Sequence, residues 1–383
     1  MNVDFSSDVY LAFDLGGKSW ELAVWASEMK NPSVYRLTGN TSYDQEPRLE
    51  KLERRLEQLL KKYGPGASFQ CCYEAGLHGN WLDRWLEARG IDNEVISPSS
   101  LEERKDKKKK KTDKLDAKKL VRKLKQYVEG DRRAFSTVRV PTLGEEAIRE
   151  RQREREKLMK EKHAASRFLE CKVSQYGIEM KKRPKGASGW QAFMDHLGEV
   201  RTYNGDTIPE EVQGAMRRCV LRLELVEEQF NDVEAEIREY HQSLPEDSAA
   251  KKLERHKGIG FRLAQQLCSE IMDWGRFQNR KQPGGFAGLD PTPSISCTKV
   301  RELGISKAGN PRLRKSAIEL AWLWWRWQPE SALTQKYAPD LKKKGRRRKM
   351  AIVGLARELL VALWRHVTQG MELEGAIYKA VKK

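Results

Sequence analysis

Four acidic residues, Asp14, Glu74, Asp113 and Asp116, are of the type that a two-metal phosphodiester site needs. Four carboxylates gathered at one point repel one another, and hard divalent cations with oxygen ligands are the usual remedy. The chemistry such a group supports is cleavage of phosphodiester bonds, with Mg²⁺ as the implied ion. Each acid also has a plainer reading when taken alone. Asp14 in FDLGG suits a turn before two glycines, and Glu74 in YEAG suits a strand end. Asp113 and Asp116 in TDKLD suit a helix start, where caps and the helix dipole favour acids. What joins this last pair is its i, i+3 spacing, which puts both carboxylates on one helical face.

The elements that must position these acids are legible in the first 130 residues. Segments 9–16, 19–27 and 33–39 are apolar, β-branched or aromatic runs separated by Gly, Asn and Pro, so they read as three strands of an antiparallel meander. Residues 46–63 carry Leu49, Leu52, Leu56, Leu59 and Leu60 at helical spacing and read as an amphipathic helix against that sheet. A strand at 68–75, a helix at 80–89 built on Trp81, Leu82, Trp85 and Leu86, and a strand at 93–97 complete the order βββαβαβ. Helical crossovers make the later strands parallel and deliver acids to strand ends on one edge. This is an α/β arrangement of the RNase H-like, or RuvC-like, type.

Charge points independently to a nucleic-acid partner. Lys and Arg total 73 against 55 Asp and Glu, a net charge of +18 in 383 residues. The basic residues come in blocks: Arg104, Lys105 and Lys107, Lys108, Lys109, Lys110, Lys111 before the TDKLD helix, and Lys342, Lys343, Lys344, Arg346, Arg347, Arg348, Lys349 near the C-terminus. A charge run usually makes a solvated, mobile loop, and both blocks are expected to be mobile when free; their placement favours phosphate contact, which gives affinity rather than sequence choice. Segment 180–209 reads as a loop or small insertion and is a third candidate for backbone contact. The six cysteines show no CxxC spacing, so neither a zinc ribbon nor a disulfide framework is indicated. No secretory segment and no uncharged run of about 18 residues is present, and the expectation is a soluble protein of the reducing cytoplasm.

The middle of the chain is a charged helical region. Residues Val212, Met216, Cys219, Leu223, Val226, Phe230, Val233, Ile237 and Tyr240 step alternately by 4 and 3, an apolar heptad that predicts a coiled-coil seam. Its partner is either the preceding helix or the same helix of a second protomer. The second option, or a mixture, is favoured because residues 149–157 are too polar to match the whole seam. Downstream, HKGIGFRLAQQL is similar to a helix-hairpin-helix module whose backbone at Gly258 and Gly260 meets a phosphate. Residues 284–322 then combine Pro and Gly turns, the serines Ser294, Ser296 and Ser306, and a helix start at Asn310 followed by Arg312 and Arg314. The tryptophans at 322, 324, 325 and 327 fit core packing better than base stacking.

FDLGG, YEAG and KTDKLDA, the central seam, and then GIG, FAGLDP and SKAGNPRLR occur in one order that resembles the DEDD transposases of a class of bacterial insertion sequences, relatives of the Piv invertase. The resemblance covers nearly the whole chain. It implies an RNA-guided recombinase in which a RuvC-like domain supplies the acidic tetrad Asp14, Glu74, Asp113 and Asp116, and a C-terminal transposase domain supplies a serine nucleophile. Ser296 matches that serine best by spacing, although Cys297 stands where the family commonly has glycine. Ser294 is the reserve candidate, Cys297 ranks third, and Ser306, like Lys307, belongs to the SKAGN motif. Further implications are attack giving a phosphoserine link and a free 3′ hydroxyl, double-stranded target and donor DNA and a structured non-coding bridge RNA as partners, and a dimer to tetramer in which acids of one protomer complete a site with the serine of another. The expected domains are 1–130 (catalytic), 142–245 (coiled-coil assembly) and 250–383 (mainly α-helical transposase domain). Two rivals stand beside this reading: a hydrolytic metal-dependent nuclease of the Holliday-junction resolvase type, and a nucleic-acid-binding protein that keeps the fold without the chemistry.

Overall fold

Strand pairing organises the first of two compact units, residues 1–141 and 142–383. The computed structural model describes residues 8–17, 19–39, 46–76, 79–101, 113–180, 182–296 and 299–380, with backbone alone at 99, 113, 114, 293–296 and 299–303. The first unit runs β1 (Asp8–Leu15), β2 (Ser19–Ala26), β3 (Ser33–Thr38), α1 (Glu46–Tyr63), β4 (Ser68–Glu74), α2 (Trp81–Glu87), β5 (Asp92–Ile96), α3 (Pro98–Leu101) and α4 (Asp113–Val128). The strands form one mixed sheet in the order β3-β2-β1-β4-β5. The meander β1-β2-β3 is antiparallel, while β4 joins β1 and β5 joins β4 in parallel, as the helical crossovers require.

Both faces of this sheet are covered, which is why β1 and β2 are apolar almost throughout. On one face Leu11, Phe13, Trp20, Leu22 and Tyr73 pack with Leu52, Leu56 and Leu59 of α1 and with Leu82 and Leu86 of α2. On the other, Tyr10, Ala12, Ala23 and Cys72 pack with Ala117, Leu120, Val121 and Leu124 of α4. Phe135 joins the second cluster, and Val138 and Val140 border the first, so the unit extends to Pro141.

The second unit opens with α5 (Leu143–Gln175), α6 (Gly186–Asp195) and α7 (Glu210–Ser243). Thr142 caps α5 in a capping box with Glu145. Segment 180–209, read from its Gly and Pro content as a loop or insertion, carries α6, whose Trp190 is fully buried against Leu169, Val173, Met216 and Leu223. The heptad of α7 is covered within the chain. Its first half meets α5 and α6, and Val233 and Ile237 meet Leu158. The polar stretch 149–157 that argued against this pairing is matched by ion pairs, Arg151 with Glu236 and Arg155 with Glu234, while Phe261 packs beside Phe230 and Ile237.

The rest of this unit runs α8 (Ala249–Glu254), α9 (Phe261–Ile271), α10 (Gln282–Phe286), β6 (Pro291–Ser296), β7 (Lys299–Ile305), α11 (Pro311–Trp327), α12 (Ala332–Leu341) and α13 (Arg346–Gln369). Trp324 is fully buried in a core made with Leu320, Leu355, Leu359 and Leu363 and Trp325 borders it, whereas Trp322 and Trp327 are exposed, so core packing holds for only part of the tryptophan cluster. Lys342–Lys349, expected as a mobile loop, is instead the corner between α12 and α13. Gly345 turns with φ 70°, Arg346 opens α13, and Arg348 Nε donates to the carbonyls of Leu341 and Lys343. No described helix is long and apolar enough to cross a membrane.

His256, between α8 and α9, is fully buried, with its Nδ1 3.3 Å from the Leu253 carbonyl and the rings of Trp324, His366 and Tyr378 around it. Burial, then the nearby His366, lowers its pKa from 6.5 to about 4. The unfolded chain therefore binds this proton at higher pH than the folded one. Stability is complete above about pH 6.5 and is lost as pH falls through 4, by up to about 3 kcal/mol. Denaturant titrations across that window should show the slope in the wild type and a flatter one in His256→Asn.

Candidate functional sites in two units

In the first unit, register places the acids. Phe13 is level with Tyr73 across the parallel β1–β4 pair, so Asp14 and Glu74 follow as neighbours at the strand ends. Both fall on the α4 face, because Phe13 and Tyr73 belong to the opposite core and side chains alternate. The position of α4 fixes the third acid. Cys72 Sγ lies 3.9 Å from the Leu120 carbonyl, and Lys125 Nζ lies 4.5 Å from the Trp25 ring. The helix thus runs antiparallel to β1, and Asp116, one turn before Leu120, is level with the strand ends. Asp14 and Asp116 are partly buried, and Glu74 is exposed.

Asp113 begins α4, and its side chain lies outside the described residues, as do Arg104–Lys111 entirely. Among the described residues, no three His, Cys, Asp or Glu side chains converge closely enough to hold a metal ion. The donor type still suits Mg²⁺: Asp14, Glu74 and Asp116 are carboxylates at one end of the sheet.

A residue missed from sequence braces this end. Arg48 of α1 is fully buried, donates through Nη2 to the Gly17 carbonyl at 2.7 Å, and stands 5.6 Å from the Trp20 ring. It ties the turn after Asp14 to the helix beneath it. An arginine among leucines on the apolar side of a helix was the available signal.

In the second unit, the candidate serines lie on a β-hairpin that was read from sequence as turns. Pro291 and Pro293 hide β6, since proline is tolerated only where a strand lacks a partner on that side. The register pairs Ser294 with Arg301 and Ser296, the last residue of β6, with Lys299. Cys297 lies outside the described residues.

The FAGLDP and SKAGNPRLR motifs form the seat of this hairpin. Ser306 N–H donates to the Asp290 carbonyl, Lys307 N–H to Gly288, and Asn310 N–H to Phe286. The Asn310 side chain accepts from the N–H groups of Arg312 and Leu313, capping α11, and donates to Glu270 Oε2 at 2.6 Å. Arg314 Nη1 donates to the Ala287 and Lys307 carbonyls, and Arg312 pairs with Glu156. These side chains, expected at a nucleic-acid surface, are thus engaged with protein. Gly258 (φ +94°) turns between α8 and α9 with Trp327 against it, and Gly260, the N-cap of α9, faces open space.

Beside Pro291, at the root of the hairpin, is a cleft of about 700 Å³ that sequence reading did not find. Arg280, Lys281, Lys336, Arg357 and Arg365 line it against only Asp290 and Glu358, and Glu358 is already paired with Lys336. The cations come from three separate segments, so no block in the sequence announces them.

Comparison with known proteins bears on what these two sites belong to. Residues 250–337, which hold both motifs of the hairpin seat, match the model of the transposase IS116/IS110/IS902 family. The chain is 37% identical over 348 residues to "Putative transposase y4rJ" of Sinorhizobium fredii (strain NBRC 101917 / NGR234), covering 87% of this chain and 84% of that protein. It is 25% identical over 302 residues to the transposase for insertion sequence element IS1533 of Leptospira borgpetersenii, covering 76% and 80%. Over 235 residues it is 23% identical to the transposase for insertion sequence element IS1111A of Coxiella burnetii (strain RSA 493 / Nine Mile phase I), covering 61% and 60%. The molecule is therefore a DNA-processing enzyme of the transposase class. It belongs to the IS116/IS110/IS902 family of insertion-sequence transposases.

Two outcomes follow from the second unit. A Cβ on Gly309 would stand 2.6 Å from Gly288 N and 2.7 Å from the Phe286 carbonyl oxygen, both backbone atoms. Gly309→Ala should therefore cost about 1–3 kcal/mol, visible as a lower melting temperature. If the cleft takes a phosphate backbone, Arg365→Ala should weaken DNA binding uniformly across sequences and reduce the slope of log K against log salt by about 1.

Proposed function

We propose that this transposase exchanges DNA strands through a phosphoserine link, guided by a structured RNA. The observation that carries the reading is the placement of Asp14, Glu74 and Asp116 at one end of a five-stranded sheet whose order, β3-β2-β1-β4-β5, is that of an RNase H-like domain. Asp14, Glu74, Asp113 and Asp116 would hold Mg²⁺, which when bound neutralises phosphate charge and favours an ionised hydroxyl.

Ser296 is the nucleophile in this reading. Its Oγ forms a bond to phosphorus as the bond to the 3′ oxygen breaks, and the hydroxyl proton passes to a base or solvent. The products are a serine-linked 5′ phosphate and a free 3′ hydroxyl. Reversal with a different 3′ hydroxyl releases the serine and joins a new strand, with one phosphodiester bond made for each broken, so no ATP is consumed. The hairpin register sets Ser296 opposite Lys299 and Ser294 opposite Arg301. RNA guidance rests on the resemblance set out from the motifs, and the net charge of +18 suits two nucleic-acid partners. The serine of one protomer acting with the acids of another in a dimer or tetramer belongs to the same proposal, as do backbone contacts from Lys342, Lys343, Lys344, Arg346, Arg347 and Lys349.

Labelled DNA incubated with the full chain, its element-encoded RNA and Mg²⁺, then run on a denaturing gel, tests the proposal. A protein-linked strand is expected in the wild type and lost in Ser296→Ala. Free cleaved ends that persist in Ser296→Ala would replace it with a hydrolytic nuclease. Cleavage that survives Asp14→Asn would remove the acids from the chemistry.

A further inference from the structure

Asp14 does not face the sheet edge alone. The antiparallel β1–β2 register sets Glu21 directly opposite it, so the two side chains share a face and their Cβ atoms lie about 5 Å apart. That face is the one covered by α4, as Ala12 and Ala23 show by packing with Ala117 and Leu120. Glu21 is only 3% exposed. Its Oε1 is 3.2 Å from Arg36 Nε, which also donates to Ser19 Oγ. Its Oε2 is buried and accepts no hydrogen bond among the described residues.

This is an unfavourable arrangement for a folded protein left to itself. Like charges directly opposite on neighbouring strands destabilise a sheet. A buried carboxylate oxygen without a donor carries an uncompensated desolvation cost. Arg36, opposite Glu21 on β3, meets Oε1 and leaves Oε2 without a donor among the described residues. An apolar residue or a glutamine at position 21 would remove the repulsion, whereas a cation arriving at the same edge would offset it. Mg²⁺ usually keeps several of its waters, and the carboxylates that receive hydrogen bonds from such a hydrated ion tune its affinity from outside the ligand set.

We propose that Glu21 is a positioning residue of the cation site, with its free oxygen as outer-sphere acceptor for the hydrated ion held by Asp14, Glu74, Asp113 and Asp116. The inference rests on the reading of those four acids given above and adds a fifth carboxylate to it. Glu21 touches neither the scissile phosphate nor the serine; it acts through the cation and through Asp14.

Mn²⁺ titration of the full chain, followed by electron paramagnetic resonance, tests this without reference to activity, beside thermal melts in EDTA. Wild type should bind, Asp14→Asn should lose binding, and Glu21→Gln should bind about 10–100-fold more weakly. In EDTA, Glu21→Gln should melt at or above the wild-type temperature, since a like charge has been removed. Glu21→Asp keeps the charge and should recover part of the affinity; it carries the test if Glu21→Gln fails to fold. Wild-type affinity in both Glu21 variants, with Asp14→Asn still defective, would overturn the role of Glu21 and leave the four-acid site standing. No Asp14-dependent binding in the wild type would overturn the cation site and Glu21 with it. A Glu21→Gln protein that is less stable in EDTA yet binds Mn²⁺ normally would make Glu21 a structural partner of Arg36 instead.

Discussion

Parallel pairing of β1 with β4 governs the first unit, because it cannot form locally. Two strands running the same way need a long crossover between them, and α1 supplies it. Once Phe13 and Tyr73 are level, alternation leaves no freedom for Asp14 and Glu74: both must leave the sheet toward α4 at its carboxyl end. A slip of one residue would turn both acids into the leucine-rich layer under α1 and α2. The apolar cores on the two faces therefore fix the positions of the acids.

The second unit solves a different problem, joining a long charged hairpin to a C-terminal body. Glu234 on α7 lies between Arg155 of α5 and Arg262 of α9, and Glu156 on α5 lies between Arg312 and Lys315 of α11. Partial burial works against the Glu156 anion, but hydrogen bonds from Lys315 and Arg312 still hold its pKa below the ordinary value. Exchanging such pairs for apolar residues is often neutral in stability, whereas removing one partner is costly. Their effect here is to fix the register between α5, α7, α9 and α11, a specification that smooth apolar faces would leave open.

Legibility from sequence followed the range of the interactions. The five strands and α1 were readable because burial on two faces produces dense apolar runs and a clear helical stripe, and the observed bounds of α1, Glu46–Tyr63, are those the leucines set. The apolar stripe of α7 was readable, but not its partner, since ion pairs completed the fit where apolar matching failed. The β6–β7 hairpin was hidden by its own prolines, and α6 by the glycines and proline around it. The roles of Arg48, Glu21 and the cations of the basic cleft were missed for one reason. Each takes its meaning from a residue on a different element, which only the fold identifies.

In the SKAGNPRLR motif, residue types that suit phosphate are engaged with the protein itself. Lysine, asparagine and two arginines before a helix look like a phosphate-binding surface. Asn310 instead spends its acceptor on the α11 N-terminus and its donor on Glu270, and Arg314 closes on two carbonyls of the FAGLDP turn. Gly309 permits a backbone approach that no side chain would allow. The two motifs are therefore one mechanical part, separated in sequence by the hairpin they hold. The role proposed for Ser296 would require its hairpin to be held within a fraction of an ångström of the attacked phosphorus. A two-stranded hairpin is marginal on its own, so rigidity has to enter at its root, and these polar residues supply it through hydrogen bonds to backbone. Their hydrogen bonds are directed inward, onto the backbone that carries the hairpin.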